Sequence, residues 1–446
     1  MNIGFISLGC AKNRVDTEIM MALLSGAGHR IVNSIERADA VIINTCGFIG
    51  EAKEESINTI LETAELKAGG ILKYLIATGC LTQRYAKEIF NEMPELDAVV
   101  GISYFPAINE ILVKLQNGGR ILKVGPPPET FVEKGPRIIS TPPGSAYLKI
   151  VEGCNNRCSY CAIPSIRGKL RSRPITELLE EARILAGQGI KELVLIAQDT
   201  ANYGYDLQGK YLLPQLIQEL QDKVDGIDWI RLLYLHPAHI NDDIINCIAS
   251  HSKVVPYLDI PIQHVSSKIL KAMNRKHDRK YLENLIDKLK AEIEGLVLRT
   301  TVMVGFPGEE ESDFEELYNF TRKVEFDWLG AFTFNPEEGT AAAQLPNQIE
   351  EAVQNKRLDT ILKLQHKISR KKNIARINSS EKVLVSGQVS SNLYIGRAYF
   401  QAPEVDGVTL IKSNSKLPRG EFTPVRFAAV RNYDMIGELI VDEPAQ

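Results

Sequence analysis

Residues 146–161 read Ala-Tyr-Leu-Lys-Ile-Val-Glu-Gly-Cys-Asn-Asn-Arg-Cys-Ser-Tyr-Cys. The apolar start predicts a β-strand, and the loop after it carries Cys154, Cys158 and Cys161 with gaps of three and two residues. Three thiolates this close can bind three irons of a cubane cluster and leave the fourth iron open to a substrate or cofactor. These three cysteines, the loop triad, therefore predict reactive chemistry at the end of a strand.

Other uses of three close cysteines fit less well. A structural zinc ion normally takes four ligands, yet no Cys or His occurs within forty residues after Cys161. A disulfide framework is disfavoured because seven cysteines in 446 residues is a sparse and odd number. Buried inert thiols rarely cluster within eight residues beside Gly and Asn.

Length and composition indicate a soluble protein of several domains. The chain has 446 residues, of which 44% are hydrophobic and 24% charged. No apolar run reaches the length of about eighteen residues that a membrane helix needs, so we expect no membrane partner. The start, 1–7, reads as a strand rather than a signal peptide, which predicts a reducing, cytoplasmic location. A net charge of −4 argues against whole-chain binding of nucleic acid, although it allows a local basic patch.

Apolar runs alternate with helical patterns in the first part of the chain, which predicts a parallel sheet covered by helices. The predicted strands are 2–7, 40–45, 74–78 and 98–101, and the predicted helices are 14–27 and 50–67. A Pro- and Gly-rich stretch follows and predicts a linker. We therefore expect an N-terminal parallel α/β domain at 1–120 and a linker at 121–143.

Six further strand–helix repeats predict a central partial (β/α)6 barrel at 144–372. Its predicted strands are 146–151, 192–197, 229–235, 256–260, 297–304 and 329–335, and its helices are 175–188, 213–223, 241–250, 266–273, 278–293, 311–324 and 347–374. Short alternating strands after it predict a small antiparallel β-barrel at 373–446. The fold class is therefore α/β with a C-terminal β-barrel.

Three more cysteines each follow a strand of the N-terminal domain. Cys10, Cys46 and Cys80 occupy matching positions, and each has a glycine beside it. Parallel strands present their carboxyl ends at one edge of a sheet, so three loops there can bring the thiols together. We name these residues the sheet triad and predict that they hold a second cluster. Cys247 lies among isoleucines of a predicted helix and is expected in the core.

The chain resembles the radical S-adenosylmethionine methylthiotransferases over its whole length. The loop triad matches the radical-SAM signature, the sheet triad matches the N-terminal domain of these enzymes, and the C-terminal barrel looks like a TRAM domain. Three runs resemble the subfamily that modifies an aspartate of small-subunit ribosomal protein S-twelve. These runs are Ser-Leu-Gly-Cys-Ala-Lys-Asn-Arg-Val-Asp at 7–16, Tyr-Leu-Asp-Ile-Pro-Ile-Gln-His at 257–264 and Ala-Pro-Glu-Val-Asp-Gly at 402–407. Ala11 departs from the proline of many relatives and is not a ligand.

The resemblance implies two [4Fe-4S] clusters and S-adenosyl-L-methionine as cofactors. The loop-triad cluster would bind and cleave S-adenosylmethionine, so that a radical removes hydrogen from an unactivated carbon. The sheet-triad cluster would carry the sulfur that is methylated and inserted. No side chain is assigned as a catalytic acid or base. The expected partners are protein S-twelve, free or in the ribosome, and an electron donor such as flavodoxin or ferredoxin, with the enzyme itself a monomer.

The pocket for S-adenosylmethionine is predicted from the resemblance and from positions after barrel strands. The expected cofactor-binding residues are Tyr160, Glu152, Arg167, Gln198, Asp199 and Gly305. Tyr160 could equally be an aromatic residue that only packs against its neighbours. The glycine-rich run around Gly305 could equally be a plain turn with no contact to the cofactor. His264 follows another strand and reads as a hydrogen-bonded structural residue.

The charge of the last segment bears on the choice between a protein and an RNA substrate. Residues 376–446 contain eight Lys or Arg and eight Asp or Glu, a net charge of zero, whereas an RNA-binding barrel should be basic. Glu404 and Asp406 are expected at its surface, where they would suit a basic ribosomal protein. A basic stretch at 369–372 leaves some RNA contact open. The alternatives are a tRNA adenosine methylthiotransferase and a non-enzymatic iron–sulfur module.

Overall fold

The computed structural model describes residues 1–440, and these form two compact units. The first unit contains residues 1–140, 151–173 and 335–343, and the second contains 141–150, 174–334 and, among the described residues, 344–440. No helix within residues 1–440 is long and apolar enough to cross a bilayer.

The helices and strands are numbered in chain order. The strands are β1 Asn2–Ser7, β2 Arg30–Val32, β3 Ala40–Thr45, β4 Tyr74–Gly79, β5 Ala98–Val100, β6 Ile121–Lys123, β7 Ser145–Lys149, β8 Val151–Glu152, β9 Arg171–Ser172, β10 Glu192–Ile196, β11 Trp229–Leu232, β12 Val254–Asp259, β13 Val297–Val304, β14 Trp328–Thr333, β15 Ser380–Ser390, β16 Leu393–Arg397, β17 Thr409–Lys412, β18 Phe422–Arg431 and β19 Asp434–Leu439. The helices are α1 Ala11–Gly26, α2 Gly50–Ala68, α3 Cys80–Arg84, α4 Ala86–Glu92, α5 Ile108–Gln116, α6 Ile163–Arg167, α7 Ile175–Gly187, α8 Tyr205–Gln208, α9 Leu213–Lys223, α10 Asp242–Ser250, α11 Ser267–Ala272, α12 Arg279–Glu292, α13 Glu311–Val324 and α14 Glu351–Ala375.

The first unit is built on a six-stranded parallel sheet in the order β2-β1-β3-β4-β5-β6. Its central strand β3 is buried at every residue, because helices cover both faces of a sheet of this kind. The order of the strands changes direction between β1 and β3, because β2 lies on one side of β1 and strands β3 to β6 lie on the other. Loops at such a switch point leave a crevice where ligands bind. The sheet therefore offers a binding edge at the carboxyl ends of β1, β3 and β4.

Two short strands of this sheet were not predicted. Strands β2 and β6 have three residues each and pair at its two edges, where so short an apolar run gives little signal. The linker predicted to begin at residue 121 thus starts with a strand of the first sheet. Part of it is held by buried ion pairs, of Arg137 with Glu18 and of Arg171 with Glu133. The domain boundaries themselves stay a prediction.

The second unit contains a six-stranded parallel sheet in the order β7-β10-β11-β12-β13-β14. Neighbours in space follow one another along the chain except for the short ribbon β8–β9, which belongs to the first unit. This order is that of a partial (β/α)6 barrel, in which loops after the strands carry functional groups.

Residues 380–439 of the second unit close into a five-stranded barrel in the order β15-β16-β17-β19-β18. Most neighbours are antiparallel, as predicted, but β17 and β19 run parallel, because β18 lies between them in the chain and carries it back across the barrel. Trp328 of β14 donates its indole N–H to the Phe400 carbonyl oxygen at 2.6 Å, and the Trp229 ring packs edge-on against Phe422 at 4.5 Å. Both tryptophans of the chain therefore lie where this barrel meets the parallel sheet.

The expectation of an acidic surface at 402–407 is wrong for Asp406. Its side chain is 1% exposed, accepts hydrogen bonds from the Tyr257 hydroxyl at 2.6 Å and the Ala402 N–H at 2.8 Å, and lies 3.4 Å from Arg299 Nε. Glu404 is exposed, but its carboxylate accepts a hydrogen bond from the Tyr147 hydroxyl at 3.0 Å. This run therefore fixes the barrel to strands β7, β12 and β13, and Asp406 contributes nothing to the charge of the protein surface.

Candidate functional site

All six cysteines of the two triads belong to the first unit, and Cys247 belongs to the second. None of the seven forms a disulfide within residues 1–440. Cys80 is buried and the other five of the two triads are partly exposed. Cys247 is buried in α10, as predicted for a core residue.

The sheet triad lies at the carboxyl edge of three neighbouring strands. Cys10 follows β1 and directly precedes α1, Cys46 follows β3, and Cys80 begins α3 after β4. Strands β1, β3 and β4 are adjacent in the sheet, so the three loops meet at one edge. The structure thus brings together the three cysteines that the sequence placed after separate strands.

The glycines beside these cysteines allow the loops to pack against one another. A Cβ on Gly9 would lie 2.9 Å from Cys46 Sγ, and one on Gly47 would lie 2.6 Å from Leu81 Cα. A Cβ on Gly79, where φ is +107°, would lie 2.4 Å from the Thr45 carbonyl oxygen. Each glycine is therefore required by a neighbouring loop and not only by a bulky ligand.

Asn13, one turn after Cys10, joins the loops of the sheet triad. Its side-chain N–H group donates to the carbonyl oxygens of Leu8 and Thr45, each at 3.0 Å. Its Oδ1 lies 3.8 Å from Cys80 Sγ, within reach of the weak S–H donor. Asn44 in turn donates to the Asn13 carbonyl oxygen at 2.8 Å. These hydrogen bonds fix the three loops relative to one another.

The pKa values of the sheet triad diverge. Burial, followed by the charge of Cys80, raises the pKa of the Cys46 thiol to about 12. Burial also raises the pKa of Cys80, and the attraction of Arg167 offsets it only in part. Burial would likewise raise the pKa of Cys10, but Lys12, Arg167 and nearby backbone N–H groups outweigh it, so that this pKa is lowered. Three thiolates here repel one another, and a cation bound among them would relieve that repulsion.

The loop triad lies between β8 and β9, the two strands of a short antiparallel ribbon. The Cys154 N–H donates to the Gly168 carbonyl oxygen at 3.1 Å, and the Leu170 N–H donates to Asn155 Oδ1 at 3.1 Å. Cys154 Sγ accepts the Asn156 N–H at 3.4 Å, a contact of the kind that stabilises a thiolate ligand. The loop is thus held in a defined shape by backbone contacts.

The segment 335–343 also belongs to this unit and lies against the same loops. The Ala342 N–H donates to the Ser159 carbonyl oxygen at 2.8 Å. Glu337, with a side chain 3% exposed, pairs with Arg84 at 2.6 Å and with Lys53 at 2.9 Å. No pattern in the sequence pointed to these contacts, because more than 250 residues separate Glu337 from Arg84.

Helix α6 connects the two triads. It begins two residues after Cys161, and its N-cap residue Ala162 and its Ile166 pack against Cys80. Its last residue, Arg167, donates Nε–H to Cys80 Sγ at 3.4 Å and Nη1–H to Glu152 at 2.6 Å. Glu152 is fully buried, and its other oxygen accepts the Gly153 N–H at 3.2 Å. Glu152 and Arg167, both predicted to bind cofactor, are therefore bonded to each other beside the sheet triad.

Replacing Gly153 by alanine is expected to destabilise the loop triad. Gly153 has φ of +75°, and a Cβ there would lie 2.1 Å from the Lys169 carbonyl oxygen, so strain and collision combine. Gly118→Ala is the matched control, since Gly118 also has positive φ but open space around it. We expect Gly153→Ala to lower the free energy of unfolding by about 2 kcal/mol more than Gly118→Ala. Equal free energies of unfolding in urea for the two variants would show that the Gly153 site has no such steric clash.

Three predicted pocket residues lie in the second unit. Gln198 and Asp199 follow β10, and Gly305 follows β13. Asp199 lies 2.6 Å from His239 Nδ1 and accepts the His236 N–H at 3.3 Å. Gly305 has φ of +73°, and its carbonyl oxygen accepts the Gln354 side-chain N–H at 3.3 Å. Tyr160 lies in the first unit, within the cysteine loop. Their role in binding S-adenosylmethionine stays a prediction.

The chemistry of the donor sets fits two iron–sulfur clusters. Each triad supplies three sulfur ligands, which leaves one iron of a four-iron cluster open in each case. Structural zinc sites normally close with four ligands, and the seventh cysteine, Cys247, lies in the other unit. The residues present therefore suit clusters that bind a further ligand.

Sequence reasoning missed the polar residues that support the triads. Asn13 and Asp16 are almost fully buried on α1, and both contact the Arg167 guanidinium. Their spacing of three residues from Cys10 and from each other would have predicted one helix face. Such a buried polar face directly after a cysteine was the available signal.

Comparisons with known protein families match three regions of the chain. The uncharacterized family UPF0004 matches residues 2–101, the radical SAM superfamily matches 148–321, and the TRAM domain matches 378–440. The predicted fold class, with an N-terminal parallel α/β domain, a radical-SAM domain and a TRAM barrel in that order, is confirmed.

Relatives cover nearly the whole chain. The ribosomal protein uS12 methylthiotransferase RimO of Syntrophomonas wolfei is 63% identical over 98% of this chain and 100% of its own length. The RimO protein of Caldicellulosiruptor saccharolyticus is 48% identical over 99% and 100%. Among solved structures, the radical S-adenosylmethionine methyltransferase TsrM of Kitasatospora setae aligns with a TM-score of 0.55 at 13% identity, over 74% of this chain and 72% of TsrM. That likeness shows the fold alone.

Proposed function

Since the chain belongs to the RimO family of radical S-adenosylmethionine methylthiotransferases, we propose that it adds a methylthio group to the β-carbon of an aspartate in ribosomal protein uS12, the small-subunit protein S-twelve. The observation that carries the proposal is the presence of two cysteine triads in one compact unit. A protein that only transferred electrons would have no use for two clusters with an open iron each.

In this proposal the loop triad holds a [4Fe-4S] cluster with one iron open to S-adenosylmethionine. When bound, that cluster supplies the electron that cleaves S-adenosylmethionine and so yields a radical able to take hydrogen from an unactivated carbon. The chain provides a preformed loop, because the Cys154 N–H is bonded to the Gly168 carbonyl oxygen and Cys154 Sγ accepts the Asn156 N–H. Partial exposure of the three thiols leaves access for the cofactor.

The sheet triad would hold the second [4Fe-4S] cluster, which carries the sulfur to be inserted. Asn13 and the glycines beside Cys46 and Cys80 set the positions of the three loops. Cys80 is buried, whereas Cys10 and Cys46 are partly exposed, so a further ligand would reach the sheet triad from the side of Cys10 and Cys46.

The remaining roles follow from the same family. Tyr160, Gln198, Asp199 and Gly305 would contact S-adenosylmethionine. Glu152 and Arg167, which were also predicted to bind this cofactor, would instead hold the cysteine loops in position through their ion pair. The electron donor would be a flavodoxin or ferredoxin, the enzyme would act as a monomer, and it would work in the cytoplasm, where ribosomes are assembled.

The test is a mass measurement on the substrate. The reconstituted and reduced enzyme is incubated with uS12, S-adenosylmethionine and a sulfide source. We expect one aspartate-containing peptide of uS12 to gain about 46 Da, the mass of CH₂S, and tRNA to remain unchanged. An unmodified uS12 together with a methylthiolated tRNA adenosine would contradict the proposal and assign the enzyme to tRNA.

A further inference from the structure

We propose that Arg167 is a positioning residue that raises the reduction potential of the cluster at the sheet triad through an N–H···S hydrogen bond to Cys80. The inference rests on the proposed function, because it requires that Cys10, Cys46 and Cys80 hold a cluster. Arg167 belongs to the helix directly after the loop triad. A residue supplied by the segment of one cluster thereby acts on a ligand of the other.

The position of the guanidinium is fixed from several sides. Arg167 is 2% exposed, and its Nη2 donates to Asn13 Oδ1 at 2.5 Å. Nη1 donates to Glu152 at 2.6 Å, and both Nη atoms lie 3.3 Å from Asp16 Oδ2. Because the guanidinium is a rigid planar fork, these contacts to oxygen leave Nε–H directed at Cys80 Sγ, 3.4 Å away.

A hydrogen bond to a cluster thiolate favours the reduced form of the cluster. The added electron increases negative charge on the sulfur ligands, and an N–H donor or nearby positive charge stabilises that increase. Burial of Arg167 and Cys80 strengthens the interaction, because little water screens it. The two carboxylates lie on the far edges of the guanidinium, where they orient it and reduce its net charge.

Arginine suits this role better than lysine would. An ammonium could keep the positive charge, but it could not bond Asn13, Glu152 and Cys80 in fixed directions at once. Arg167→Lys should therefore retain only part of the effect, and Arg167→Gln should lose both the charge and the directed N–H. Glu152→Gln removes a neighbouring negative charge while Arg167 stays in place, so it should act in the opposite direction.

The test is a redox titration of the sheet-triad cluster, followed by electron paramagnetic resonance. The full chain carrying C154A, C158A and C161A is reconstituted, so that about four irons per chain belong to the sheet triad alone. In this background we expect Arg167→Gln to shift the midpoint potential to a more negative value. We expect Arg167→Lys to give a smaller negative shift and Glu152→Gln a positive shift.

Arg137→Gln is the matched control, because Arg137 forms a buried ion pair in the same unit with Glu18, two helical turns along α1 from Cys10. Its midpoint should equal that of the parent. The inference is overturned if the midpoint potentials of Arg167→Gln and Glu152→Gln shift in the same direction, or if neither shifts. If Arg167→Gln binds no cluster, the inference is tested on Arg167→Lys and Glu152→Gln alone. A midpoint potential in both variants equal to that of the parent, the chain carrying C154A, C158A and C161A, again overturns the inference. A parent protein that binds no iron would instead refute the second cluster of the proposed function.

Discussion

Replacing Cys154, Cys158 and Cys161 together by alanine is expected to abolish both cleavage of S-adenosylmethionine and methylthio transfer. Replacing Cys10, Cys46 and Cys80 should abolish transfer but leave reductive cleavage to 5′-deoxyadenosine. The reason is that only the loop triad is proposed to bind S-adenosylmethionine for cleavage, while the sheet triad carries the sulfur. In either variant the iron content should fall from about eight to about four per chain.

The measurements are iron analysis, release of 5′-deoxyadenosine and the mass of the uS12 peptide. Cys247→Ala is the control for the loss of a cysteine, because Cys247 lies in α10 of the second unit and its thiol contacts only the core and the Pro214 carbonyl oxygen at 3.9 Å among the contacts described. This variant should keep about eight irons. If the sheet-triad variant still transferred a methylthio group, the second cluster would not be the sulfur carrier.

The positions of Cys10, Cys46 and Cys80 could be predicted because each follows an apolar run that forms a strand. Ala40–Thr45 is fully buried in the sheet, so Cys46 has to emerge at its carboxyl edge. The start of α1 was predicted three residues late, since Lys12 and Asn13 look like exposed loop residues. Both are buried instead, and Asn13 is held there by four hydrogen bonds, to Leu8, Asn44, Thr45 and Arg167.

What could not be predicted depends on contacts between distant parts of the chain. Arg167 and Asn13 are 154 positions apart, and no local pattern pairs them. Asp406 was taken for a surface residue because acidic residues usually are exposed. Its burial requires Tyr257 and Arg299, which come from two strands of another domain. Side-chain composition alone therefore misjudges charge wherever one domain packs against another.

Replacing Glu192 by glutamine is expected to be the most destabilising single change at the contact between the parallel sheet and the C-terminal barrel. Glu192 is fully buried, accepts Arg231 Nε–H at 2.7 Å and Ser145 Oγ–H at 2.8 Å, and pairs with Arg397. The substitution removes the carboxylate charge with which both buried guanidinium groups pair. Breaking a buried pair of this kind costs about 3–5 kcal/mol of unfolding free energy.

The same carboxylate predicts how stability depends on pH. Burial alone would raise the pKa of Glu192, but Arg397 and Arg231 outweigh it and lower this pKa from 4.5 to about 2. A lowered pKa gives stability that is present above the unfolded value and is lost as the pH falls through 4.5 towards 2. The loss amounts to about 3 kcal/mol, and it should be absent in Glu192→Gln.

Tryptophan fluorescence during urea unfolding measures both effects, because Trp229 and Trp328 both lie at this contact. Glu421→Gln is the matched control, since Glu421 is 51% exposed and pairs with Lys191 at 3.7 Å in the same region. Such a surface pair contributes about 0–1 kcal/mol, so its loss should change little. A similar small effect for Glu192→Gln, with unchanged pH dependence, would mean that apolar packing around Trp328 and Phe400 holds the barrel in place without help from the buried charges.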